Sequence, residues 1–500
     1  MISVDARLDP SNGWNRSRLR ASIGAATWIG VSVLGGIGVA FLVVNGLWYA
    51  AVALVLLLPA FVLLHRAPLA GVAVWLLATP FVAVTQSGSV REAFWLFHRV
   101  LPIGLLTILV VAAMTRVSPR TLAALGWPEV MMAGFVVASV LSIVFTSSAP
   151  VATAILLYDR VVAPMCLYLI VRLLEPDQRD LVRLGPVVLV VLGIEGLIGL
   201  VSLARPGMLP SAWLVGSERA TGTFADPDVF GTTMIFCGLF ALHWGLTSRR
   251  AWILRTGSVL AFAFAMVMVF LTFSRGNWLA GLVVLAGCAW IYRRYLPTIV
   301  VILAPLLVAL LASGLLKGPI TFGRERLDSV QSRESALARV PVAVAAIRMV
   351  EARPLTGWGY GNFDVYSRPF QTQVGNLVYP EKDHASHNLF LTIMAEQGLL
   401  GIALFLGPTA YWLVRTKWVL AAMPSTERKL VESLWLVIAA FVIVNNFSVM
   451  KVTFGLGLWW LTLGLIGSTV HRYRASAPQP GPIDVDPVNA GDPTAWTGRR

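Results

Sequence analysis

The stretch SHNLFLTIMAEQGLLGIALFLGPTAYWLVRTK, Ser386–Lys417, decides the fold. A polar Ser-His-Asn triplet opens it. From Leu389 to Val414 it then carries one charged residue, Glu396, before Arg415 and Lys417 close it. A helix of that length crosses a hydrocarbon core of about 30 Å, so a membrane span is predicted over 388–413. Further apolar runs predict spans at 22–44, 47–64, 67–85, 100–114, 128–146, 153–171, 184–204, 229–246, 256–273, 277–292, 296–315, 430–449 and 452–470. The closely joined early runs set the expectation at about 12–14. Lengths near 20 residues favour helices over barrel strands, because lipid offers no partner to an open backbone. The fold class expected is therefore all-α, a polytopic transmembrane helical bundle.

Composition agrees. Of 500 residues 57% are hydrophobic and 13% charged, about half the charge of a soluble chain. The net charge of +14 is read as the basic residues that hold cytoplasmic loops in place, so no nucleic-acid partner is expected. The three cysteines, Cys166, Cys237 and Cys288, all fall inside apolar runs and imply no disulfide framework. The first apolar run lacks a small-residue cleavage pattern and is read as an anchor.

Arg16, Arg18 and Arg20 precede the first predicted span and place the N-terminus inside. Threading back and forth then puts Arg66, Arg116, Arg172, Arg249, Arg293, Arg415, Lys417 and Arg472 inside as well, with both termini cytoplasmic. Five segments follow: a cytoplasmic N-terminus (1–21), spans one to eleven (22–316), a long extracytoplasmic loop (317–387), the last three spans (388–472), and a Pro-rich tail (473–500) predicted to be disordered. Within the long loop, Arg333–Ala352 predicts an amphipathic helix on or near the membrane surface, and PLTGWGYGNF (Pro354–Phe363) an aromatic turn.

The outer side then receives the chemistry. His384 and His387 stand at the mouth of the 388–413 span. With Ser386 as cap, His387 occupies the first helical turn, where the positive helix end favours a neutral imidazole able to accept a proton. Arg219 and Arg275 sit on the side that short loops keep free of arginine, each beside a helix end. An arginine there either snorkels to headgroups or binds an anion, and a pair suits the oxygens of a phosphate. The helix predicted from about Val229 adds backbone donors. Asp226–Asp228 (DPD) has carboxylates at metal-ligand spacing but is also an ordinary helix start, and no metal is expected. Inside the spans, Asp159, Arg160 and Glu195 keep open a transporter or flippase, since such proteins use intramembrane charge.

Four motifs in order, RATGTFADPDVFG, LTFSRG, RPLTGWGYGNF and SHNLFLTIMAEQGLLG, resemble those of the O-antigen ligase and polymerase superfamily of membrane glycosyltransferases. The resemblance runs from Arg219 to Gly401. Asp228 stands where the family usually has asparagine. The resemblance implies a polyprenyl-diphosphate-linked glycan as donor, transfer on the outer face of the cytoplasmic membrane, no metal and no cofactor. It implies an essential histidine, matching His387 of the His-Asn pair, and arginines for the diphosphate, matching Arg219 and Arg275. Asn388, the neighbour of that histidine, is counted with the substrate-contacting residues. Arg339 and Arg348 are further candidates for phosphate or glycan contact, and Tyr360 and Trp358 for stacking on a sugar, against interface anchoring as the plain alternative. A glycan, lipid or protein hydroxyl is the expected acceptor, and membrane lipids the remaining partners.

Overall fold

The computed structural model describes residues 68–80, 88–115, 122–209, 219–247, 252–313, 339–371, 386–449 and 452–476, with a few isolated positions between 321 and 337. The predicted spans 22–44 and 47–64, His384, Arg333 and the tail beyond Ser476 lie outside them.

Every regular element among the described residues is helical. Pro68–Ala78 (α1) and Gly88–Met114 (α2) belong to a unit of their own, in which Leu105 packs onto Gly71. The larger unit holds Trp127–Thr146 (α3), Pro150–Leu174 (α4), Gln178–Ala204 (α5), Pro227–Thr247 (α6), Trp252–Leu271 (α7), Arg275–Ile291 (α8) and Leu296–Ser313 (α9). Arg339–Ala352 (α10), Leu389–Val419 (α11), Ser425–Asn445 (α12) and Thr453–Ser476 (α13) complete it. Seven of the described helices are long and apolar enough to cross a membrane, and α8 joined to the start of α9 across an 81° bend gives an eighth. The chain is a polytopic membrane bundle.

Local chemistry sets the helix ends. Pro227 occupies the first position of α6, where its missing N–H costs nothing, and the Asp226 carboxylate accepts from Asp228 N at 2.8 Å and Val229 N at 3.3 Å. The Asp-Pro-Asp segment is thus a helix start. Asp177 caps α5 in the same way, accepting from Asp180 N at 2.8 Å. In α6 and α13, 94% of the most apolar window is buried, against 28% in α3, so those two form the core and α3 turns much of its surface outward.

The helices alternate in direction and define two ends. At one, Arg172 of α4 meets Glu129 of α3 at 3.6 Å, and Arg472 of α13 meets Glu427 of α12 at 3.4 Å. At the other, the start of α8 packs beside the last turn of α12: a methyl at Gly276 would lie 3.5 Å from Phe447 Cβ. They are called here the Arg172 end and the Arg275 end. Gly323 packs near Phe270, Phe273 and Trp278 at the Arg275 end, so the chain has crossed back by way of α9.

The stretch predicted as one span is two helices. α11 breaks at Gly398, whose φ of +66° and ψ of −166° are not helical. Residues 389–397 form a short arm, and 399–419 form the span. The break falls at the polar Glu396-Gln397-Gly398 stretch, and another segment completes it. Leu399 N donates to Pro354 O at 2.7 Å and Leu400 N to Leu355 O at 3.3 Å, while Trp358 N and Gly359 N donate to Ala395 O and Glu396 O at 3.0 and 2.7 Å. The loop supplies the partners that the broken helix lacks. The contact is backbone on backbone. A methyl at Gly398 would lie 2.3 Å from the Leu355 carbonyl, and one at Gly357 2.4 Å from that of Glu396.

The predicted amphipathic helix is present as α10, from Arg339. Its apolar face, Val342, Ala346 and Met349, packs on Ala395 of the short arm and on Phe363. The face expected to meet lipid is thus spent on protein.

Candidate functional site

Three loops and one helix end meet at the Arg275 end. The first loop, Arg219–Asp228, lies on the turn between α7 and α8. Ala220 N donates to Leu271 O at 3.0 Å, and Arg219 Nε donates to Thr272 O at 2.9 Å. Ser274 Oγ donates to Asp228 Oδ1 at 2.5 Å, and Asn277 Nδ2 to Pro227 O at 2.8 Å. Arg219 and Arg275 are therefore held on one scaffold, Arg219 half-buried and Arg275 exposed. Burial raises the Asp226 carboxyl above its ordinary range, the Asp228 charge adds to this, and the capping N–H groups and Arg219 oppose it.

Glu195, the intramembrane carboxylate of α5, secures this loop from below. It accepts from Thr223 N at 2.9 Å and Thr223 Oγ1 at 2.8 Å. Its role in the fold is a tether, which accounts for a buried carboxylate without a transported ion.

The second contact joins α8 to α12, where Gly276 packs against Val444 and Phe447. The third brings in the other candidates. Arg339 Nη1 donates to Phe447 O at 3.1 Å, and Asn388 Nδ2 donates to Asn446 Oδ1 at 3.2 Å. The last turn of α12 is thus ringed by Arg275's helix start, by Arg339 and by the His387–Asn388 pair, with Arg219 one contact further out.

His387 is not in the first helical turn, and Ser386 is not the cap. Asn388 caps the arm, its Oδ1 accepting from Phe390 N and Leu391 N, both at 3.0 Å. Ser386 Oγ instead accepts from Asn388 N at 3.1 Å, closing a tight turn around His387. His387 sits at the top of that turn with φ of +52°, in the left-handed region that side chains avoid. Ala225 (φ +52°) and Phe273 (φ +47°) share this conformation. Of the four such non-glycine residues among those described, three lie in the three loops that carry Arg219, Arg275 and His387. Strain of roughly 1–3 kcal/mol per residue gathers where a fold over-determines a functional loop.

Two candidates lie elsewhere. Arg348 stands nine residues beyond Arg339, about 13 Å along α10, and donates to Phe370 O at 3.3 Å. Tyr360 is buried: its N–H donates to Ser142 Oγ of α3 at 2.7 Å, and its ring lies within electrostatic reach of Glu396, Arg160 and Asp159. It offers no open face for a sugar. Trp358 is likewise covered, by Arg353 at 4.0 Å and by Tyr366 and Phe370 at 5.3 Å. Asn446 and Asn277 were not foreseen. The Asn-Asn pair closing the 430–449 run was the available sign of the first.

The residues that build this end fall largely within one recognisable block. Residues 260–406 match the sequence model of the O-antigen ligase family. The chain carries an O-antigen ligase domain over that stretch, which takes in Arg275, Arg339, Arg348, Tyr360, His387 and Asn388 and leaves Arg219 outside. Among curated proteins none matches the chain. Among the described residues no group of three or more His, Cys, Asp or Glu side chains is gathered as a metal site would need.

Proposed function

We propose that the chain is a membrane glycosyltransferase of the O-antigen ligase and polymerase type, working at its Arg275 end. That end faces away from the cytoplasm, and the donor is a glycan on a polyprenyl diphosphate that reaches the site from the bilayer. One observation carries this: the ring of Arg275, Arg339 and the His387–Asn388 pair around the last turn of α12, with His387 lifted out of its helix in a left-handed turn. The ligase domain over residues 260–406 supports it.

Arg219 and Arg275 bind the diphosphate. As the bond from sugar C1 to the phosphate oxygen lengthens, negative charge builds on the leaving group, and the guanidinium forks hold it more tightly than they hold the intact donor. His387 accepts the proton of the acceptor hydroxyl, whose oxygen attacks C1 from the opposite face, so the anomeric configuration inverts. Arg339 and Asn388 line the approach. No step calls for a metal ion.

The test is product analysis in liposomes loaded with lipid-linked donor and a hydroxyl acceptor. The transferase releases polyprenyl diphosphate and joins the glycan to the acceptor, with activity persisting in excess chelator. Donor moved intact across the bilayer marks a flippase and ends this assignment. Loss of activity on chelation reinstates a metal.

A further inference from the structure

A cavity of about 420 Å³ opens at the Arg172 end, far from the residues assigned above, between the start of α3 and the last turns of the α11 span. Glu129, Arg172, Tyr411, Trp412, Arg415 and His471 line it. The volume lies within the usual range of small-ligand pockets, about 300–1,000 Å³.

Charge accounting identifies what the cavity can take. Arg172 is committed: its Nε lies 3.6 Å from Glu129 and its Nη1 2.9 Å from Glu175. His471 Nδ1 lies 2.5 Å from Glu175 as well. Glu129 also accepts from Tyr168 OH at 2.6 Å and Gly126 N at 2.6 Å. Arg415 differs. Its guanidinium rests over the Tyr411 ring at 5.3 Å and has no carboxylate partner among the described residues. Among the described residues Arg415 is thus the arginine of the cavity lining that no carboxylate engages, held over an aromatic ring.

Depth in the membrane identifies the source. Four tryptophans are exposed by 68–77%, Trp127, Trp252, Trp290 and Trp418, and all four lie at the Arg172 end of their helices. Tryptophan concentrates at the level of the lipid headgroups. Two of the four, Trp127 and Trp418, stand beside the cavity, and exposed Val130 and Val414 next to them offer an apolar wall for acyl chains. A basic pocket between spans at this depth suits an anionic headgroup.

We propose that this cavity holds the headgroup of an anionic glycerophospholipid, its singly charged phosphodiester bonded to Arg415. A single arginine without a carboxylate partner among the described residues matches a phosphodiester better than the more highly charged diphosphate of the donor, so this site and the Arg275 end take different lipids.

Native mass spectrometry on the purified full chain, given an equimolar mixture of phosphatidylglycerol and phosphatidylcholine, tests it. One phosphatidylglycerol is expected to be retained per chain in preference to phosphatidylcholine. Arg415→Gln should lower that retention about tenfold or more, the loss of a charge-assisted bond, and Arg415→Lys should lower it less. Arg183→Gln, which alters an 80% exposed arginine outside the cavity, should leave it unchanged. Equal retention of the two lipids overturns the proposal. So does full retention in Arg415→Gln, an equal loss in Arg183→Gln, or displacement of the lipid by millimolar inorganic phosphate.

Discussion

The two ends of the bundle use arginine in opposite ways. At the Arg172 end the guanidinium is 2% exposed, engages Glu129 and Glu175, and donates to Ala124 O at 2.9 Å. Tyr168 and Trp412 extend the same network, Trp412 Nε1 donating to Tyr168 OH at 2.8 Å. At the Arg275 end Arg219 stands in a loop and Arg275 and Arg339 at helix starts, all partly or wholly exposed, beside loops that include three residues at positive φ. A buried charge shared between two carboxylates fixes helix to helix. In the function proposed above, an arginine nearer the surface contributes less to the fold and serves the diphosphate.

The sharpest way to break this contrast is His387→Asn. Asparagine is among the few residues that tolerate left-handed backbone, so the turn and the thermal midpoint should survive while transfer falls by roughly 10²–10⁴-fold. Retained transfer, measured as polyprenyl diphosphate released, removes the base. The converse is Arg172→Ala. Two carboxylates lose their shared cation, and unfolding in detergent should show a loss of about 3–5 kcal/mol. A stability within error of the parent would mean that the buried network is ornamental.

Arg275→Lys comes next. It keeps the charge and loses the fork, and a fall of about tenfold or more in turnover is expected, with no change in midpoint. Unchanged kinetics would make that arginine a plain headgroup anchor. The smallest effect concerns Asp226. Its folded carboxyl is raised above its ordinary range, so the folded protein keeps a proton that the unfolded chain has released. Stability contributed by this group therefore falls as pH rises from about 4 through the raised value, and is flat above it. Asp226→Asn, which can still accept the two capping hydrogen bonds, should flatten that part of a midpoint-against-pH curve.

Much of this was legible in the residues. The run predicted at 229–246 is the helix Pro227–Thr247, and that at 128–146 is Trp127–Thr146, because an apolar run bounded by a proline or a charge leaves the backbone few alternatives in lipid. Arg219, Arg275 and His387 stand out as candidates for a different reason: each is polar where hydropathy alone would place a plain helix end. What stayed hidden depends on contacts between distant segments. The Glu-Gln-Gly of AEQGLLG is a weak sign of a break, since a glycine inside a span is common and the partners that complete this break lie in Pro354–Gly359. Tyr360 reads as a sugar platform because composition does not say that the residue will be buried. Asn446 was passed over because an asparagine closing a span looks like a cap until Asn388 is found bonded to it.

The four hydrogen bonds of the seam between Pro354–Gly359 and residues 395–400 run from main chain to main chain. Those bonds choose no rotamer, and a single methyl added at Gly357 or Gly398 would meet backbone that cannot swing aside. The histidine's address is written in amide groups, and three glycines at positive φ, Gly357, Gly359 and Gly398, are the letters in it that resist respelling.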